Sequence, residues 1–207
     1  MTKPIDISIQ SNTYKAVNSF IKNVELDGEL TLNVIKDPKI KEFDEPTFAK
    51  LLNTEFHNGI IELKVFSQLL SDAPDFARGF IGIAFRINDD DTKFESIYIR
   101  PTNGSADDQL RRNRTTQYFS YPDYKFDTFR QIAPGKYESY VDITIGEWID
   151  FKVEVKDSVA KLTINNSKKP VLIVNDLKYG SDFKGSIGLW SEVGTDAYFK
   201  DLKITHL

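Results

Sequence analysis

Ile149-Asp150-Phe151-Lys152-Val153-Glu154-Val155-Lys156 alternates apolar and charged residues without a break, and Ala160-Lys161-Leu162-Thr163-Ile164 resumes the alternation a few positions later. A period of two is the pattern of a strand whose successive side chains point to opposite faces, one against a core and one in water. A helix with this pattern would bury a charge on every face. The two runs therefore predict neighbouring β-strands.

The same pattern recurs upstream. Leu30, Leu32 and Val34 alternate with Thr31 and Asn33, and Ile61, Leu63 and Val65 alternate with Glu62 and Lys64. Turn-forming residues separate the runs: Asp27-Gly28, Asn58-Gly59, Asp72-Ala73-Pro74-Asp75, Pro134-Gly135, Asn165-Asn166 and Tyr179-Gly180. No long stretch carries helical periodicity, and there is no internal repeat or low-complexity linker. The expected fold is an all-β antiparallel sandwich, one domain over residues 1–207, in which residues 1–45 are the less characteristic part and supply strands that complete it.

Composition narrows the function. The chain has 207 residues, a formal charge of −4 and no cysteine, which excludes thiol chemistry, disulfides and Cys-ligated zinc. His57 and His206 are the only histidines, one before the Asn58-Gly59 turn and the other next to the C-terminal residue, so neither a histidine dyad nor a His-rich metal site is expected. Phosphate-loop, dinucleotide and nucleophile-elbow motifs are missing. Mild acidity argues against nucleic acid as a partner. No run approaches the length of a membrane span and the N-terminus lacks signal-peptide features, so the chain reads as soluble, without a membrane partner, and cytoplasmic if Met1 is the natural start.

Arginine is the anomaly. All seven (Arg78, Arg86, Arg100, Arg111, Arg112, Arg114 and Arg130) fall in one 53-residue window that holds only two of the lysines, Lys93 and Lys125. Such segregation points to a need for planar, forked guanidinium groups. Within the window, Phe80–Arg100 reads as a hairpin in which Ile81, Ile83, Phe85 and Ile87 share a face with Ile97 and Ile99 across the Asp89-Asp90-Asp91 turn. Pairing Ile83 with Ile99 and Phe85 with Ile97 sets Gly82 beside Arg100 and Ala84 beside Tyr98 on the other face. Small residues then leave room for Tyr98, Arg100 and Arg86 to form a polar, aromatic floor.

After Arg100 the alternation lapses into a long polar stretch and then an aromatic one, where eight of the 24 residues from Gln117 to Tyr140 are aromatic against 13% overall. Rings mixed with amides, carboxylates and guanidiniums suit sugars, whose C–H faces pack on aromatics and whose hydroxyls need paired donors and acceptors. An acidic saccharide, or another carboxylate or phosphate, would engage the arginines directly. The expected ligand-binding residues are Arg86, Tyr98, Arg100, Asn103, Gln109, Arg112, Asn113, Gln117, Tyr118, Tyr121, Tyr124 and Arg130. Trp148 and Trp190 both alternate away from core positions, and each reads equally well as a sugar platform or as a packing residue at a sheet end.

Several segments together resemble a bacterial family of concanavalin A-like lectin/glucanase domains, of the laminin-G-like or family-16-like glycoside hydrolase kind and related to 3-keto-disaccharide hydrolase domains. They are Phe94–Gly104, Asp108-Gln109 with Arg112-Asn113, Gln117-Tyr118 with Tyr121-Pro122-Asp123-Tyr124, Pro134–Glu138, Gly185–Trp190 and Ala197–Ile204. The similarity spans roughly Phe48 to Ile204. It implies a jelly-roll sandwich of two curved sheets that binds a carbohydrate or polyol on its concave face.

The Glu-x-Asp-x-Glu strand of family-16 glucanases is absent; the nearest string, Glu138–Glu147, has the wrong spacing and is interrupted by Gly146. A hydrolase would need carboxylates from different strands, with Glu95, Asp108, Glu138 and Glu192 as candidates. A further alternative is a non-catalytic interaction domain whose arginine network is structural, each guanidinium bonded to the protein's own acids or backbone oxygens. Glu95 falls on the face of Ile97 and Ile99, which also suits a structural carboxylate. No cofactor is expected, save that the resemblance implies a structural Ca²⁺ held by Asp201 and backbone oxygens of an early loop; Asp201 equally reads as a capping residue.

Overall fold

A computed structural model describes residues 2–207 and contains two antiparallel sheets stacked face to face, the jelly-roll β-sandwich expected from the alternation. The strands are β1 (Ile5–Asp6), β2 (Tyr14–Val17), β3 (Ser19–Leu26), β4 (Glu29–Lys36), β5 (Phe48–Leu51), β6 (Gly59–Leu69), β7 (Ile81–Ile87) and β8 (Phe94–Ile99). They continue as β9 (Thr116–Tyr121), β10 (Glu138–Ser139), β11 (Ile149–Lys156), β12 (Val159–Ile164), β13 (Leu172–Val174), β14 (Ser186–Ser191) and β15 (Thr195–His206). Three short helices, α1 (Pro101–Gly104), α2 (Gln109–Arg112) and α3 (Phe126–Ile132), flank β9. Among the described residues no helix is long and apolar enough to cross a membrane.

One sheet runs β13-β12-β11-β6-β15-β4-β3, with β1 also paired to β15, and the other runs β10-β9-β8-β7-β14-β5-β2. The quoted run is β11, which sits between β6 and β12 and turns Phe151, Val153 and Val155 into the interior. Its charged positions form cross-strand pairs on the wet face, such as Lys152 with Glu62 at 3.5 Å. The β3–β4 hairpin closes through Asp27 and Gly28, both at positive φ (54° and 79°), as a tight two-residue loop requires.

Apolar residues form two layers. The larger lies between the sheets and includes Phe56, Val65, Ile83, Phe85, Phe151, Leu162, Leu189 and Phe199. The second covers the outer face of the seven-stranded sheet and consists of Val17, Phe48, Ala84, Ile87, Phe94, Tyr98, Phe119 and Trp190. That outer face is roofed over. The connection between β4 and β5 crosses it, with Glu45 accepting from the Trp190 indole Nε1 through its carbonyl (2.9 Å) and from the Tyr121 hydroxyl through its carboxylate (3.0 Å).

The Phe80–Arg100 hairpin differs from expectation in register and at one bulge. Ile83 pairs with Ile97 and Phe85 with Glu95, so β8 is slid by two residues and Gly82 lies beside Tyr98 rather than Arg100. The slide keeps every face but exchanges the partners. A Cβ on Gly82 would approach the Tyr98 Cβ to 2.6 Å, so the bare backbone at Gly82 is what lets Tyr98 lie against β7. Arg86, at φ 54°, is an extra residue: Phe85 pairs with Ile187 and Ile87 with Ser186, leaving Arg86 unmatched. The bulge turns Ile87 to the outer face and Arg86 away from Tyr98.

Candidate functional site

Tyr98 and Arg100 do meet on the outer face, as period two dictates for positions two apart. The Arg100 guanidinium donates to the Tyr98 hydroxyl (2.6 Å), the Gln117 side-chain carbonyl (3.2 Å) and the Arg114 carbonyl (2.9 Å). Pro101 starts α1 immediately after Arg100, so the chain leaves the sheet there and carries Asn103 over the same spot. Short α2 and the residues after it bring Arg111 and Arg114 to the edge. From the far side, α3 supplies Phe126 and Arg130.

These elements enclose a cavity of about 460 Å³. Its walls are Tyr98, Arg100, Asn103, Arg111, Arg114, Phe126 and Arg130 from the arginine window; Phe76, Arg78 and Phe80 from the connection before β7; Phe43 and Asp44 from the roofing segment; and Glu192 just after β14. Phe43 stands edge-on to Phe76 and to Phe126, with centroids 5.6 and 6.2 Å apart. Phe76 is 50% and Phe43 39% exposed, so apolar rings form an open rim over a basic interior.

Five arginines reach one cavity. Glu138 is the counter-charge for three of them: its Oε1 accepts from Arg130 Nε (3.0 Å) and Nη2 (2.6 Å) and lies 3.7 Å from Arg100, while Oε2 lies 3.6 Å from Arg114. Glu192 is buried, which pushes its carboxyl up, but it is tied to Lys36 and to the backbone N–H groups of Asp44 and Val193. Asp44 accepts from the Phe126 N–H at 2.8 Å. Burial first, and repulsion from Glu192 second, push Asp44 from 3.8 up to about 7 against the opposing pull of that N–H and of Arg100 and Lys125.

A pH dependence follows. Because Asp44 is raised in the folded state, between 3.8 and about 7 the folded chain keeps a proton that the unfolded chain has released. Its contribution to stability therefore declines as pH rises through that window and is flat above it. Asp44→Asn keeps an acceptor for Phe126 and tolerates the φ of 52° at this position, yet cannot titrate. Urea unfolding at pH 5, 6, 7 and 8 should show the variant gaining on wild type with rising pH, at a slope of at most about 1.4 kcal/mol per pH unit. A constant difference across the series would remove Asp44 as the titrating group.

Of the residues expected from sequence, the cavity gathers Tyr98, Arg100, Asn103, Arg130 and Glu192. Gln117 and Glu138 stand directly behind them as partners of Arg100. The others lie elsewhere. Arg86 is fully buried below the bulge, donating to the carbonyls of His57, Gly180 and Asp157 and to the Asn58 side chain. Tyr118 points between the sheets and donates to Glu95 (2.7 Å), which also accepts from the Tyr179 N–H; burial raises the Glu95 carboxyl, and both residues are structural. The inward face of β8 and β9 explains both positions.

Gln109 bonds Asn113 across one helical turn at the surface, Asp108 caps α2 by accepting from the Arg111 N–H, and Arg112 lies over the Tyr140 ring at 5.2 Å. Tyr121 stacks on Phe94 and Tyr124 on Phe129, so these aromatics pin the loop to the sandwich. Trp190 is fully buried beneath Tyr98 with ring centroids 4.7 Å apart, a support for the floor rather than a surface. Trp148 lies over the opposite sheet, under the Lys200 ammonium at 4.2 Å and donating to Asp27. Asp201 sits at a bulge of β15 with φ 57°, and among the described residues no three His, Cys, Asp or Glu side chains gather as metal ligands would.

Sequence reasoning missed Phe43, Asp44, Phe76, Phe80 and Phe126 as site residues, and assigned no role to Arg78, Arg111 or Arg114 beyond membership of the arginine cluster. The usable signals were the Phe43-Asp44-Glu45-Pro46 string inside a long connection and the upstream end of the arginine window at Arg78.

No protein family profile and no curated protein matches the sequence. Solved structures do match in fold. The carbohydrate binding module CBM66 from Bacillus subtilis superposes with a TM-score of 0.62 at 13% identity, over 93% of this chain and 96% of that one. A conjectured glycosyl hydrolase from Parabacteroides distasonis gives 0.54 at 17% identity, over 95% and 100% of the two chains. A Bacillus subtilis protein of unknown function with a galectin-like fold gives 0.53 at 14%, over 95% and 90%. At such identities the likeness is one of fold.

Proposed function

We propose that this chain is a carbohydrate-binding module whose saccharide sits in the cavity over the outer face of the seven-stranded sheet. The observation that carries the reading is the pairing, in one recess of about 460 Å³, of exposed phenylalanine rings at the rim with guanidinium, amide and carboxyl groups below. A sugar ring offers an apolar face to the first set and hydroxyls to the second. Structural neighbours named as a carbohydrate binding module and a conjectured glycosyl hydrolase support a saccharide partner, as does the sequence resemblance to concanavalin A-like lectin/glucanase domains.

Binding is favoured over hydrolysis by the state of the carboxylates. Glu138 is committed to three arginines and Glu192 to Lys36 and two backbone N–H groups, which leaves Asp44 as the lining carboxyl with no ion-pair partner among the described residues. Glycoside hydrolysis ordinarily needs two carboxyl groups facing the scissile bond, one as acid and one as base or nucleophile.

Isothermal titration after a glycan-array screen tests the proposal. Phe43→Ala and Phe76→Ala should each weaken a bound saccharide about 5- to 10-fold, roughly 1 kcal/mol or a little more per ring. Melting temperatures should fall by only a few degrees, since half of the Phe76 side chain and more than a third of Phe43 are already in water. Failure of every saccharide on the array to bind wild type would sink the reading.

A further inference from the structure

We propose that the saccharide is anionic, a uronic acid residue whose carboxylate is held by Arg78 and Arg111. The inference rests on the sugar-binding reading of the same cavity and adds the charge and the contact residues. Among the described residues Arg78 and Arg111 have no carboxylate within 4.0 Å, although both line the recess. Arg78 spends one nitrogen, Nη1, on the carbonyls of Asp75 and Ala77 (both 2.7 Å), and Arg111 spends Nε on the Asn103 side chain (3.2 Å). Nη2 and Nε of Arg78 and both terminal nitrogens of Arg111 keep their hydrogens for something else.

Apart from Asp44, which accepts from the Phe126 N–H, the acids at the cavity are already allotted. Glu138 answers Arg100, Arg114 and Arg130; Glu192 answers Lys36; Glu45 answers Lys125. Like charges crowd as a result: burial, and then the fields of Arg111 and Arg100, press the Arg78 guanidinium below its ordinary range. An anion entering between Arg78 and Arg111 relieves that repulsion.

Two features choose a carboxylate on a sugar over a simple anion. Guanidinium offers a planar fork that matches a carboxylate edge to edge, and neither Lys93 nor Lys125, the two lysines of the arginine window, lines the recess, although lysine would serve as well for a point charge. The phenylalanine rim, in turn, needs an apolar face to cover, which a pyranose supplies and a free inorganic anion does not.

Titration calorimetry with full-length protein and a panel of uronate oligosaccharides, their methyl esters and neutral oligosaccharides of equal length tests this. The acid form should bind at least tenfold tighter than its ester, and the advantage should shrink with added salt. Arg78→Gln and Arg111→Gln should each cost the acid form about tenfold and the ester much less, so that the preference for acid over ester shrinks, whereas Phe76→Ala should weaken both and leave that preference intact. Equal binding of ester and acid would overturn the anionic ligand and leave the sugar site standing. Tighter binding of sulfated or phosphorylated sugars than of uronates would overturn the carboxylate. If no member of the panel binds, the sugar-binding reading falls and the inference with it.

Discussion

Glu138→Gln should cost about 3 kcal/mol of folding stability, the lower end of the range for removing one partner of a buried ion pair. Glu138 is nearly buried and is the single carboxylate shared by Arg100, Arg114 and Arg130. The amide keeps the shape but loses the charge, and it presents hydrogens to guanidiniums that need an acceptor. Arg100 suffers most, because it is as buried as Glu138; Arg114 and Arg130 can turn partly to water, which holds the loss below 5 kcal/mol. In a chain of this size the melting point should fall by about 6–12 °C. Pairing the change with Arg100→Met should be strongly non-additive, since the second substitution removes the cation most in need of the first. A loss below about 1 kcal/mol would mean that solvent or another acid already neutralises the cluster.

Trp190→Ala should be at least as damaging, about 3–5 kcal/mol, the range for deleting a large ring from a packed core. The indole lies fully buried against Tyr98 and Phe119, with centroids 4.7 and 5.5 Å away, and its Nε1 holds the Glu45 carbonyl of the roofing segment. Truncation opens a void directly under the cavity floor and releases the roof that carries Phe43 and Asp44. Saccharide affinity should therefore fall with stability, by tenfold or more even at temperatures where the variant is folded. Trp190→Phe, which keeps a ring but orphans the carbonyl, should cost about 1–3 kcal/mol. Chemical denaturation separates the two variants. An alanine variant with near-native stability would show that the layer on the outer face contributes little to the fold.

Strand positions were legible because their cause is local. In β6 and β11 the alternation is read residue by residue, and Ile61, Leu63, Val65, Phe151, Val153 and Val155 are buried as their parity requires. The hairpin turn at Asp27-Gly28 was equally plain, since only a few residue types accept its backbone. Parity also joined Tyr98 to Arg100. It failed at Arg86, where one extra residue with positive φ inverts the parity of everything beyond it, and a single sequence carries no mark of a bulge in an otherwise regular strand. The register of β8 on β7 was misplaced for a related reason: a slide of two residues leaves the apolar pattern intact, so the pattern cannot choose between the alternatives.

The site was legible by half. The concentration of arginine pointed to it, and Arg78, Arg100, Arg111, Arg114 and Arg130 do converge there. Tyr118, Tyr121 and Tyr124 were expected to share their role but serve packing, because residue type alone does not separate a ring that faces a ligand from one that fastens a loop. Phe43, Asp44 and Phe76 escaped notice because they belong to the connections before β5 and β7, outside the arginine-rich loop, and meet the others only when those connections are laid across the sheet.

By itself, then, the sequence determined the fold class, the strands, most of their faces and the concentration of arginine in one stretch of chain, since each of these depends on composition or on neighbours within a few residues. Tertiary structure alone decided which arginines share Glu138 and which stand free, which aromatics form a rim and which a floor, and that a buried Asp44 titrates near neutrality. Those outcomes depend on distance and on exclusion of water, and both come into being only when segments remote in the chain are packed against one another.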